Sequence, residues 1–276
     1  LMRLNESQTA FALGIACSQA AGMQQNRGTG CKSLHAGKAG YHGVLAALLA
    51  SRGFNSSPEI LEGSLGFTKI YSRTQNNDAI TAGLGKTWMI TGNGYKPYAC
   101  GVVLHPLIDA LIALSQKSHV AAADIARLEV LVHPDVIRIT GVDQPASGLM
   151  SKFSANHVAA VAYIDQAAGL AQFSNERAHD STILDLRKRV QIKPVSTFRL
   201  DQAKAGLVTI SGATFESEIA HATGTVSNPM SDRALQEKFF ANTTAKIGAD
   251  RAREVVDMVA RLDRLKNVGE LVRICV

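Results

Sequence analysis

The chain has 276 residues, 46% of them hydrophobic and 19% charged, enough for one large domain or two modest ones with a real core. Lys and Arg total 29 against 23 Asp and Glu, a formal net charge of +6, which suits anionic partners from nucleic acid to a tricarboxylate without choosing among them. No run approaches the roughly 18 apolar residues of a membrane span, and no secretory leader pattern opens the sequence.

The cysteines, Cys17, Cys31, Cys100 and Cys275, are scattered and form no Cys-x-x-Cys pair. They read as reduced thiols of a cytoplasmic protein, not as a disulfide scaffold or a zinc site.

Taken in order, residues Ser7 to Ala21 read as a buried helix with hardly a charge. A second helix is expected from His35 to Arg52, stopped by Gly53. Ala36, Ala39, Gly40, Gly43, Ala46, Ala47 and Ala50 give it a face almost without side chains. Glycine inside a helix costs about 1 kcal/mol relative to alanine, so this face suggests the close approach of another backbone or a ligand. Ser56-Ser57-Pro58-Glu59 carries the signals of a short helix start. Thr87-Trp88-Met89-Ile90 looks like a strand.

Pro106 opens a helix through Leu114 with an apolar stripe at Ile108, Leu111 and Ile112. Ile125 to Val132 alternates like a half-buried strand. The tightest basic run, Arg187-Lys188-Arg189, lacks interleaved aromatics and reads as a solvated helix end. Ser154 is placed to cap a helix from Ala155 to Gln166, and Leu207 to Ala220 folds as a hairpin about Ser211-Gly212. Helices resume at Asp232 to Lys246, Asp250 to Leu265 and Val268 to Ile274. The fold class is therefore α+β: a mostly helical domain interrupted by an inserted α+β unit.

Three motif-like signals fail. Gly83-Leu84-Gly85-Lys86-Thr87 ends like a phosphate loop, but Ile80 stands where the first glycine belongs. Gly92-Asn93-Gly94 lacks the third glycine of a dinucleotide fingerprint. His35 and His42 lie seven apart, outside the spacing of helical metal ligands.

The remaining pattern is one of cations and imidazoles. Lys32 and His35 stand at the start of the small-residue helix, where backbone N–H groups also favour anions. Lys96 lies in a turn, His105 just before Pro106, and His157 in the first turn behind Ser154. Proton transfer next to a carboxylate needs such groups: lysines to hold carboxylates, and a base or acid near the reacting carbon.

Four blocks carry a family resemblance: Thr29 to Gly43, Tyr95-Lys96-Pro97-Tyr98-Ala99-Cys100-Gly101 with His105-Pro106-Leu107-Ile108-Asp109-Ala110, Lys152 to His157, and His221 to Asp232. In order and spacing the sequence resembles the MmgE/PrpD family of cofactor-free enzymes of small di- and tricarboxylates. The resemblance implies an all-helical domain over residues 1–86, an α+β lid over 87–226, and C-terminal helices over 227–276 that rejoin the helical domain. It implies Lys32, Lys96 and His157 as catalytic residues, His35 and His105 as substrate contacts, and no metal. Many relatives carry a tyrosine where His157 stands.

The reaction implied is a carbon–oxygen lyase step of the 2-methylcitrate dehydratase type. Decarboxylation of cis-aconitate and epimerisation of an imino-dicarboxylate are the family's other reactions. A homodimer is implied as well, with neither a nucleic-acid nor a membrane partner. A complete member is expected to carry roughly 170 to 180 further residues ahead of Leu1, with a histidine and an aspartate–threonine pair for acid–base chemistry. The chain thus reads as the C-terminal three-fifths of such an enzyme; the rival reading is a catalytically incomplete, dimer-forming or ligand-binding remnant.

Overall fold

The computed structural model describes residues 2–26 and 28–275. Two compact units divide the chain, Leu1–Thr91 and Gly92–Val276.

In the first unit, helix α1 (Glu6–Cys17) starts at a reciprocal cap: Gln8 N–H donates to the Asn5 side chain, and Asn5 N–H donates to Gln8 Oε1. It is shorter than the expected Ser7 to Ala21 helix, and only Gly14 and Ile15 are buried. Helix α2 (Gly30–Ser51) starts before His35, so Lys32 lies inside its first turn, and it stops ahead of Gly53 at φ +86°. The two helices meet at Ile15, Ala46 and Ala50, flanked by Phe11, Ala12, Ala16 and Leu49.

Two expectations for this unit are corrected. No helix starts at Ser57: its hydroxyl accepts the Glu59 N–H at 3.2 Å, a local turn that competes with helix. The chain stays in turns until the short helix Phe67–Tyr71. Thr87 to Ile90 is not a strand, and a 3₁₀ turn occupies Met89–Gly92 instead. A strand's backbone groups need a neighbouring ladder, and the described sheet ends at other elements.

The second unit holds that sheet. Helix α3 (His105–Ser118) has Pro106 in its first turn, where the missing N–H costs nothing. Strand β1 (Ile125–Val132) alternates as expected, with Ile125, Leu128, Val130 and Val132 buried. A short helix (Pro134–Thr140), helix α4 (Ala155–Asp165) and helix α5 (Ser181–Arg187) then cross over to strand β2 (Val190–Pro194), parallel to β1 with Leu128 opposite Val190. Such a crossover is what a parallel pair requires.

Strands β3 (Ala203–Thr209) and β4 (Thr214–Ile219) form the expected hairpin, giving the order β2-β1-β3-β4. The core joins α3 (Leu107, Leu111, Leu114) and α4 (Val158, Val161) to the sheet through Leu128, Val130 and Leu207. Helices α6 (Asp232–Ile247), α7 (Ala249–Ala260) and α8 (Gly269–Ile274) end the chain. The fold is α+β, mostly helical with one mixed sheet.

Strand β2 has no counterpart in the sequence reading. The basic run before it is also corrected, because it is not simply solvated. The Arg189 guanidinium donates to the carbonyls of Ala122 and Ile125 and pairs with Asp185, tying the β2 approach to β1. Among the described residues no helix is long and apolar enough to cross a membrane.

Candidate functional site

Lys96 and His105 line one cleft of about 330 Å³ in the second unit. One wall is the segment Gly94, Tyr95 and Lys96; the facing wall is residues 222–226, with Asp201 and Leu200 at the side. The walls touch directly. The Tyr95 N–H donates to the Gly224 carbonyl at 2.7 Å. Gly224 has φ +88°, and a Cβ there would lie 2.0 Å from the Tyr95 carbonyl oxygen. A Cβ on Gly94 would sit 2.1 Å from the Gly224 oxygen. Only glycine permits this approach, so Gly94 and Gly224 have a structural reason of their own.

His105 is 1% exposed, yet its Nε2 has no hydrogen-bond partner among the described residues. Burial pushes its pKa down to about 4, helped by the charges of Lys96 and Lys238 and opposed by a backbone hydrogen bond at Cys100. The imidazole is therefore neutral at ordinary pH, and its Nε2 is a buried nitrogen without a partner among the described residues. The Tyr98 ring stands edge-on to it, centroids 5.4 Å apart. Lys238 of α6 donates to the Lys96 carbonyl, which brings a second ammonium to the same segment. Burial pushes the nearby Cys100 thiol up to about 12 against the pull of Lys96 and Lys152, so this thiol is no nucleophile.

At the rim, Asp201 Oδ2 lies 2.7 Å from His221 Nδ1, and Arg199 Nε donates to Asp201 Oδ1 at 3.2 Å. Burial works to raise the Asp201 pKa, but His221 and Arg199 outweigh it and the carboxylate titrates low. The sequence reading gave none of Tyr98, Asp109, Asp201, Lys238 or Thr223 a role. One signal was available for Asp109: it falls four residues after His105 within an apolar helical stripe, hence on the same face.

His157 does not line this cleft. It is fully buried on α4 and not at the surface, its N–H donating to Ser154 Oγ at 3.2 Å and its Nε2 lying 3.0 Å from the Gln172 carbonyl. Burial lowers its pKa despite the Gln172 contact, and its Nδ1 has no partner among the described residues. Lys32 and His35 belong to the first unit, Lys32 exposed and His35 half-buried beside Gly22. No group of three or more His, Cys, Asp or Glu that could hold a metal ion occurs among the described residues.

Comparison with known proteins places the sequence in a family. The MmgE/PrpD C-terminal domain matches residues 98–264, and the MmgE/PrpD N-terminal domain matches residues 1–79. The reading of a C-terminal three-fifths only is thereby corrected, because the chain carries sequence of both domains. The chain is 27% identical to a cis-aconitate decarboxylase of Aspergillus terreus, over 99% of this chain and 60% of that protein. It is 24% identical to the cis-aconitate decarboxylase of Homo sapiens, over 97% of this chain and 57% of that protein. The figures for the Mus musculus enzyme are 25%, 95% and 56%. The chain thus spans less than two thirds of the length of these relatives. It belongs to the MmgE/PrpD family.

Proposed function

We propose that this chain carries the carboxylate-binding cleft of a lyase acting on a tricarboxylate of the citrate and cis-aconitate class. One observation carries the reading: Lys96 and a neutral, buried His105 with an unpartnered Nε2 line the same small cleft. The Lys96 ammonium holds a substrate carboxylate, and the His105 imidazole hydrogen-bonds the substrate or moves a proton at its Nε2. Both dehydration and decarboxylation leave an electron pair on a carbon next to a carboxylate, and a cationic cleft stabilises that charge. The relatives named for cis-aconitate favour decarboxylation, in which the bond to the departing carboxylate breaks and a proton is delivered to carbon. Dehydration of 2-methylcitrate is the other member of the same proposal.

Lys32 is proposed as a second clamp with His35 beside it, and His157 as a contributor to proton handling. The division at 1–86, 87–226 and 227–276, a homodimer and a cytoplasmic setting complete the reading. Incubation with cis-aconitate, citrate and 2-methylcitrate in deuterated buffer tests it. Deuterium incorporation or CO₂ release that is lost in Lys96→Ala supports the lyase. Binding without exchange favours the ligand-binding remnant, and neither binding nor exchange removes the substrate class.

A further inference from the structure

The two walls of the cleft are held at a second point, by a residue that does not line it. Asp109 lies one turn after His105 on α3 and is 9% exposed. The Tyr98 hydroxyl donates to its Oδ1, and the Thr223 N–H donates to its Oδ2 at 2.6 Å. Tyr98 follows Lys96 by two residues on one wall, whereas Thr223 is part of the other. Tyr98 also presents its ring to His105 at 5.4 Å and an interplanar angle of 88°. One carboxylate therefore touches both walls, and through Tyr98 it reaches the imidazole.

Stability alone gives a poor reason for this residue. Burying a carboxylate is costly even when both oxygens are satisfied, and an apolar residue of similar volume often serves a core as well or better. The two bonds do supply directional anchors, which an apolar contact cannot.

We propose that Asp109 is a positioning residue: its carboxylate fixes the Tyr98 wall and the Thr223 wall in register, setting where Lys96 and His105 meet a substrate carboxylate. The inference rests on the carboxylate reading of the cleft. It goes further in naming the group that holds the cleft in its binding-competent shape. Thr223 donates through its backbone, so its side chain is replaceable. Tyr98 acts through its hydroxyl, so phenylalanine removes one anchor while keeping an aromatic ring at that position.

The test compares the full chain with its Asp109→Ala, Asp109→Asn and Tyr98→Phe variants. Citrate binding is measured by calorimetry, and the His105 ring is titrated by NMR. Loss of one charge-assisted anchor is expected to weaken citrate about tenfold in Asp109→Ala and in Tyr98→Phe. It is also expected to shift the His105 titration away from about 4, because the wall packed against the imidazole is no longer anchored. Asp109→Asn keeps an oxygen for the Thr223 N–H and an amide group facing Tyr98, so it restores most of the affinity.

A folded Asp109→Ala protein with wild-type affinity and a wild-type His105 titration overturns the inference. Should Asp109→Ala fail to fold, Tyr98→Phe decides, and an unmoved His105 titration there overturns it equally. If the wild-type chain does not bind citrate, the carboxylate reading fails, while the His105 titration still decides whether Asp109 positions the ring.

Discussion

Two glycine-bearing regions of this chain behave oppositely, and the sequence points to close approach only at the first. Along α2, Gly37, Gly40 and Gly43 have no atom of their own unit within 4 Å of where a Cβ would stand. At the cleft, Gly94 and Gly224 press backbone to backbone, with no room for a methyl group on either. A small-residue stripe therefore does not by itself mark a close approach. The approach lies where Gly224 has a positive φ and a hydrogen bond from Tyr95 crosses between two segments.

The sharpest way to break this contrast is Gly224→Ala. A Cβ 2.0 Å from a carbonyl oxygen, in left-handed backbone, is expected to cost about 4 kcal/mol by denaturant unfolding and to open the cleft. A cost near zero would mean that the walls can part freely.

Acid stability probes the interior of the same cleft. The folded pKa of His105 is depressed to about 4, below its unfolded value of 6.5. The folded state thus resists a proton that the unfolded state accepts. Stability is lost as pH falls through that window, and His105→Gln is expected to retain on the order of 3 kcal/mol more at its acid end. Parallel pH profiles for the two proteins would show that His105 is not held neutral.

His157→Ala compares the other buried imidazole with the one at the cleft. Removing a fully buried ring and its Gln172 contact is expected to cost about 2 kcal/mol of stability. Citrate affinity should stay within about twofold, because a change of that size is under 0.5 kcal/mol and His157 does not line the cleft. The smallest effect has the opposite sign. Gly40→Ala in α2 is expected to stabilise by about 1 kcal/mol, since its Cβ meets open space; destabilisation would mean that something does pack there.

Much of the fold was legible because its signals are local. The alternation of Ile125 to Val132, Ser154 before α4 and Pro106 in the first turn of α3 each act within a few residues. Strand β2 was not legible, because five residues ending in Pro194 become a strand only beside β1. Thr87 to Ile90 has strand-like composition but lacks such a neighbour among the described residues. Of the site, Lys96 and His105 stood out as chemical types within a family-like block. The roles of Asp109 and Thr223 were hidden, because their contact joins residues 114 positions apart.

The most direct measurement is calorimetric titration of citrate into the wild-type chain and into Lys96→Ala at neutral pH. If the cleft holds a tricarboxylate through Lys96, the wild-type chain binds and the variant loses about tenfold or more in affinity. Equal binding by both proteins, or none by the wild type, would contradict the assignment of this cleft.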